Sequence, residues 1–143
     1  MRSKYAVCAL IELARLESAG GTKPVRLAEI AERRDIPVQF LEQVFAALRR
    51  ALVVNSRRGA SGGYTLARPP DQITVLEVVA ALDGIPSREE CARGQCEHAS
   101  TCSAAPVWME AQRATEDVLR ETTIGDLLRR EDAARCAAPM YHI

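Results

Sequence analysis

Three cysteines carry the clearest chemistry in this 143-residue chain. Cys91, Cys96 and Cys102 fall within twelve residues, separated by four and then five positions. No single helical face presents that spacing, but a loop containing Gly94 can wrap it around an ion or a cluster. Thiolates select soft or borderline centres, iron-sulfur clusters or zinc. Structural zinc takes four protein ligands, mostly paired at closer spacing, so the trio favours a cluster over zinc, with unligated redox-active or structural thiols as the third reading. The total of five cysteines is odd, and the N-terminus lacks the pattern of an export signal, which argues against a disulfide framework. Cys8 and Cys136 stand near the two ends. Cys8 shares a stripe with Lys4, Glu12 and Arg15 at helical spacing, so it reads as a surface thiol; the opposing reading is a buried cysteine packed as a small hydrophobe. His98 lies two residues from Cys96, and Cys136 and His142 belong to a tail with no readable pattern.

A second kind of chemistry lies upstream. Gln39, Glu42, Gln43, Arg49 and Arg50 share one side of a segment whose other side carries Leu41, Val44, Phe45, Leu48 and Leu52, at about 100° per residue. Glutamine pairs with adenine edges, and a carboxylate accepts from cytosine N4, so this polar face suits base reading in a major groove; the bland alternative is a solvated surface helix. Arg57 and Arg58 suit phosphate or narrow-minor-groove contacts. The overall charge of zero hides an asymmetry: residues 1–70 carry 12 basic and 6 acidic side chains, residues 71–143 carry 7 and 13. A half at +6 is the place to look for a polyanion site.

These residues need elements to hold them. Good helix formers over residues 3–18 end at Gly20-Gly21, giving a first helix. Leu27, Ile30 and Ala31 mark a short helix to Arg34, the break Asp35-Ile36-Pro37 follows, and a second helix runs from Val38 to about Ala51, together a helix-turn-helix. Residues 53–58 and 64–67 read as strands joined by a loop, residues 59–63, whose glycines permit positive φ. Thr74 and Glu77 fit a capping box for a helix reaching Leu82. Residues 86–104 read as the cysteine loop. Pro106 sits in the first turn of a helix to about Glu121, with Trp108, Ala111, Thr115, Val118 and Leu119 on one stripe, and a last short helix follows Thr123. The expected fold is therefore mainly α with a small β-hairpin wing, a winged helix-turn-helix over 1–85, a cluster loop over 86–105 and a dimerisation helix with tail over 106–143. An enzyme is not expected: the chain has two histidines, no Ser/His/Asp set and no nucleotide-binding glycine fingerprint. No apolar stretch approaches the roughly 20 residues of a membrane helix, and a cytoplasmic location without membrane association is expected.

The run Phe40-Leu41-Glu42-Gln43, then Leu48-Arg49, then Arg58 through Pro69 closely resembles the bacterial Rrf-type winged-helix regulators, the family of IscR, NsrR and RirA. The resemblance is nearly chain-long: it begins at Lys4-Tyr5-Ala6-Val7, takes in Ile73-Thr74-Val75 and the cysteine loop, and extends to Asp126-Leu127-Leu128. It implies a homodimer paired through the long C-terminal helix, two winged helices on a palindromic operator in double-stranded DNA, and a transcriptional regulator or repressor. DNA affinity would be set by an iron-sulfur cluster sensing iron, redox state or nitric oxide, with 2Fe-2S ahead of 4Fe-4S. By position, Gln39, Glu42 and Gln43 match the family's base-contacting places and Arg58 its wing arginine. The histidine that completes the site in IscR-like members is replaced here by Ala105. In other members a first-helix residue of the partner subunit supplies the fourth ligand; Cys8 matches one such position, with Glu12 the alternative. Leu52 stands where the family usually has a glycine. A cluster-free member sensing a small molecule or partner protein, and a small electron-transfer protein, are the competing readings.

Overall fold

The computed structural model describes residues 2–21, 23–84 and 103–137. Six helices and one hairpin form in the order α1 (Arg2–Gly20), α2 (Leu27–Arg34), α3 (Val38–Arg50), β1 (Val54–Arg57), β2 (Gly63–Leu66), α4 (Val75–Leu82), α5 (Ala105–Glu121) and α6 (Ile124–Ala137), with a 3-10 turn at Pro70–Gln72. Mainly helical, with one antiparallel wing, this is the architecture the residue pattern implies.

α1 is the centre. Ala6, Ala9, Leu10 and Leu13 are sealed from solvent at i, i+3, i+4 and i+7, and Ile11 and Ala14 are buried beside them. So wide an apolar stripe needs cover from several sides, and α2, α3, α4, α6 and β2 all pack on it. α3 adds Leu41, Val44, Phe45 and Leu48 to the core, α2 adds Ile30 and Ala31, and Ile124 closes it from α6. α2 ends on Asp35 in the left-handed conformation, φ 51°, with the Ile36 amide donating to the Ala31 carbonyl. Aspartate tolerates that conformation, and the chain turns at once into α3 behind Pro37.

The exit of α3 corrects one expectation. Leu52 is not on the apolar side; it is 72% exposed, because the helix ends at Arg50 and Leu52 sits at φ 58°. The Leu52 amide donates to the Arg49 carbonyl and the Val53 amide to the Leu48 carbonyl, the paired bonds of a Schellman cap. The cap that glycine usually makes is made here by leucine at a steric cost. Leu52→Gly should therefore raise unfolding stability by about 1 kcal/mol, read as a higher urea midpoint at unchanged m.

The wing is anchored on three sides. β1 and β2 pair from Val54↔Leu66 to Arg57↔Gly63, and Val25 adds a one-residue bridge on the other edge of β2, exchanging both backbone bonds with Tyr64 at 2.9 and 2.7 Å. Tyr64 meets Phe45 of α3 edge to face, ring centroids 5.0 Å apart. Glu17 of α1 accepts from the Leu66 amide at 2.7 Å. The capping box is present: Thr74 Oγ1 accepts from the Glu77 amide, and Glu77 reaches back to the Thr74 amide at 2.9 Å. A matching pair opens α6, where Thr123 and Asp126 cap each other. The Thr123 amide is the main reason the Asp126 carboxyl is held down at about 2.

Candidate nucleic-acid interface

The polar side of α3 faces outward as its spacing requires. Gln39, Glu42, Gln43, Arg49 and Arg50 are all exposed while the opposite side is core. Gln39, Glu42 and Gln43 have no hydrogen-bond or ion-pair partner among the described residues, so their donors and acceptors are open. Arg49 donates from Nη1 to Ser56 Oγ at 3.2 Å, which bridges α3 to the wing. Arg57 and Arg58 are exposed at the end of β1, with no carboxylate partner among the described residues.

Six arginines elsewhere are occupied. Arg15, Arg33, Arg34, Arg68, Arg120 and Arg129 all pair with carboxylates. Thus Arg15, Arg33 and Arg34 are neutralised where α1, α2 and α6 meet, while Arg57 and Arg58 stay open on the α3–wing side, a division that composition alone does not reveal. The centre of the neutralised side is Glu12. It accepts from Arg15 Nη1 at 2.7 Å and Arg34 Nε at 2.9 Å, and both arginines continue to Glu131 of α6 at 3.0 and 2.8 Å. Hydrogen bonds from Arg34 hold the Glu131 carboxyl below the usual carboxylate range.

That network revises the reading of the first helix. Lys4, Cys8, Glu12 and Arg15 do share a side, but α6 covers its far end, so Glu12 is 3% exposed, hydrogen-bonded by the Arg15 and Arg34 guanidinium groups and ion-paired with Arg33 at 3.8 Å. Three charged partners leave Glu12 poorly placed to act as a ligand. Cys8, one turn earlier, is a half-buried free thiol, and Cys136 is an exposed one on α6. Cys91, Cys96, Cys102 and His98 lie outside the described residues, and among the described residues no group of three or more metal-ligating side chains gathers. The segment that carries them follows Asp83-Gly84 in the chain, where the Asp83 carboxylate accepts from the Ser3 amide of α1, and precedes α5, which begins at Ala105. α5 carries exposed Val107, Trp108, Met109 and Val118.

Lys23 and Arg26, exposed beside the wing, and the Glu12 network were not singled out from the sequence. Excess positive charge flanking the helix-turn-helix was the available signal for the first pair; for the network there was none, because its partners are far apart in the chain.

Comparison with known proteins completes the picture. Residues 1–130 match the Rrf2 family, described as iron-dependent transcriptional regulators. The regulator IscR of Escherichia coli is 33% identical over 132 residues, covering 92% of this chain and 80% of its own. Among solved structures, IscR of T. potens superposes with a TM-score of 0.77 at 34% identity, covering 99% of this chain and 94% of its own. CymR of B. subtilis, titled the global cysteine regulator of that organism, gives 0.73 at 32% identity, covering 91% of this chain and 95% of its own. No described helix is long and apolar enough to cross a membrane. With outward-facing α3, a wing of open arginines and these matches along nearly its whole length, the chain belongs to the Rrf2 family of transcriptional regulators.

Proposed function

We propose that this regulator works as a homodimer on a palindromic operator, with an iron-sulfur cluster setting its DNA affinity. One observation carries the DNA side: the open polar face of α3 lies next to Arg57 and Arg58, which have no carboxylate partner among the described residues, while Arg15, Arg33 and Arg34 are spent on carboxylates. Gln39 and Gln43 read adenine edges in the major groove. Glu42 accepts from cytosine N4 and repels sequences that lack the donor, acting as a filter. Arg49 holds wing and α3 in one register while touching the backbone, and Arg57 and Arg58 reach phosphate or the minor groove.

The donor set for the cluster is Cys91, Cys96 and Cys102, with Cys8 of the second subunit as the fourth ligand. Three thiols fit an iron-sulfur centre by their softness, and the half-buried Cys8 is reduced and reachable at the surface of α1. When bound, such a cluster supplies a centre responsive to iron, redox state or nitric oxide. The chain's own part is connection: the thiol loop runs directly into α5, so ordering of the loop bears on the dimer helix and on the separation of the two α3 helices. Half-sites have a fixed spacing, so that separation alters affinity without changing a base contact. The solved CymR fold favours a second reading, a cluster-free member that senses a small molecule or a partner protein.

Anaerobic reconstitution tests both sides, with iron and sulfide counted per dimer and DNA binding measured with and without the cluster. Cys96→Ala should lose the visible absorption and bind DNA with one affinity whatever the iron supply, and Cys8→Ala should make the cluster labile or alter its spectrum. Arg58→Ala should weaken binding, and Glu42→Ala should change sequence preference. A colourless parent selects the cluster-free reading; an unchanged Cys8→Ala spectrum removes the cross-subunit ligand. Parent-like binding of every sequence by both DNA variants overturns the groove assignment.

A further inference from the structure

A cleft of about 450 Å³ opens between the wing and the segment joining α1 to α2. Lys23, Arg26 and Arg57 supply its charge and Ser61 a hydroxyl, and no carboxylate lines it. We infer that this cleft is a phosphate clamp on the DNA backbone, in which Lys23 and Arg26, from outside the helix-turn-helix and the wing hairpin, grip the strand beside Arg57. The inference rests on the reading that α3 and the wing face DNA.

Three cations around one cleft repel one another, and elsewhere in this fold clustered arginines are offset by Glu12, Glu131 and Asp132. Lys23, Arg26 and Arg57 have no such offset among the described residues. An anion from outside is the missing partner. The groups are also held ready for it. Arg26 donates from Nη2 to the Ala60 carbonyl at 2.6 Å, which fixes its guanidinium across the wing loop and leaves its other donors open. The Val25–Tyr64 rung pins the segment between Lys23 and Arg26 to β2. That close approach depends on Gly63, where a Cβ would collide with the Val25 carbonyl, and Gly62 likewise lies against the Arg57 carbonyl. Little freedom of the Arg26 side chain then remains to be lost when a phosphate enters, and a guanidinium held in place offers paired donors to phosphate oxygens.

The shape selects the kind of phosphate. Lys23, Arg26, Arg57 and Ser61 are all exposed, so the cleft is a trough at the surface, suited to a phosphate carried on a passing strand. It also adjoins Arg58 at the wing, so one strand that meets the wing meets the cleft. Its contribution is positional: phosphate contacts fix how the protein sits on the duplex and carry no base information.

Salt dependence separates a phosphate contact from a structural role. The probes are a duplex selected by the parent protein from a random-sequence pool and a duplex of unrelated sequence, with binding followed by anisotropy across a potassium chloride series. Replacing both residues, Lys23→Ala with Arg26→Ala, should flatten the slope of log K against log salt by about 0.9 per phosphate released, roughly 1.8 for a dimer with one phosphate in each clamp. Preference for the selected duplex should be unchanged. The charge-keeping pair Lys23→Arg with Arg26→Lys should retain most of the parent slope. An unchanged slope in the alanine protein, with or without weaker binding, would overturn the clamp and leave Arg26 as a brace for the wing loop. Failure of the parent to prefer the selected duplex would overturn the DNA reading and the clamp with it.

Discussion

Glu12→Ala should cost about 3 kcal/mol of unfolding stability, a fall in Tm on the order of 10 °C, the largest loss expected from any single charged residue in the fold. The reason is burial on both sides of the interaction. Glu12 is 3% exposed, and the side chains of its partners Arg15 and Arg34 are only 17% and 15% exposed. Removing the carboxylate leaves two nearly buried guanidinium groups facing each other, with Glu131 as their remaining shared partner and Asp132 reaching Arg15 alone at 3.0 Å. By contrast, the exposed pairs Arg120–Asp117 and Arg129–Asp126 span one turn of their own helices, and pairs of that kind contribute about 0–1 kcal/mol. Urea unfolding of Glu12→Ala beside Asp117→Ala makes the comparison directly. A loss below about 1 kcal/mol for Glu12→Ala would mean that solvent reaches the network. The effect also bears on DNA: Arg34 ends α2, so the network sets how the helix-turn-helix lies on α1 and α6.

The same network explains where the amino-acid pattern stopped being informative. α2 was legible to its end residues and α3 to within one, because each has apolar residues at one helical period and a visible stop, and the capping box of α4 was legible from Thr74 and Glu77. Buried charge is different. Glu12 and Arg15 break the apolar stripe of α1 where α6 covers it, so a covered side reads as a wet one, whereas Cys8, one turn earlier, keeps part of its surface open. Leu52 fails for a related reason: helical extrapolation carries the apolar stripe beyond Arg50, but the left-handed cap swings the side chain out. The bridge that Val25 adds to the wing is a single residue, too short to have a period at all. The polar face of α3 was legible because neither burial nor pairing interferes with it.

If the subunits pair through α5 as proposed, Trp108→Glu should dissociate the dimer and weaken operator binding on the order of 10³-fold, since each half-site is then bound without the effective concentration that the other subunit supplies. Trp108, Ala111, Thr115 and Val118 follow one another along α5 at three- and four-residue steps, and Trp108 and Val118 are 70% and 63% exposed in the single chain. Among the described residues α5 packs on α4, and that line of side chains is left exposed. A helix of 17 residues draws most of its stability from packing its apolar side, so an uncovered tryptophan and valine on it call for a second copy. A carboxylate at position 108 would have to be buried unpaired in that contact, once from each subunit, which is the costliest change available there. Light scattering at micromolar concentration reads the assembly, and the salt slope of DNA binding reads its consequence: a lone subunit holds half the phosphates, so the slope should fall by about half while preference within a half-site persists. Arg113→Ala, on the exposed opposite side of α5, should leave both unchanged. Trp108→Glu protein that remains dimeric with a full salt slope would mean that the subunits meet elsewhere, and it would remove α5 as the link between the cysteine segment and the spacing of the α3 helices.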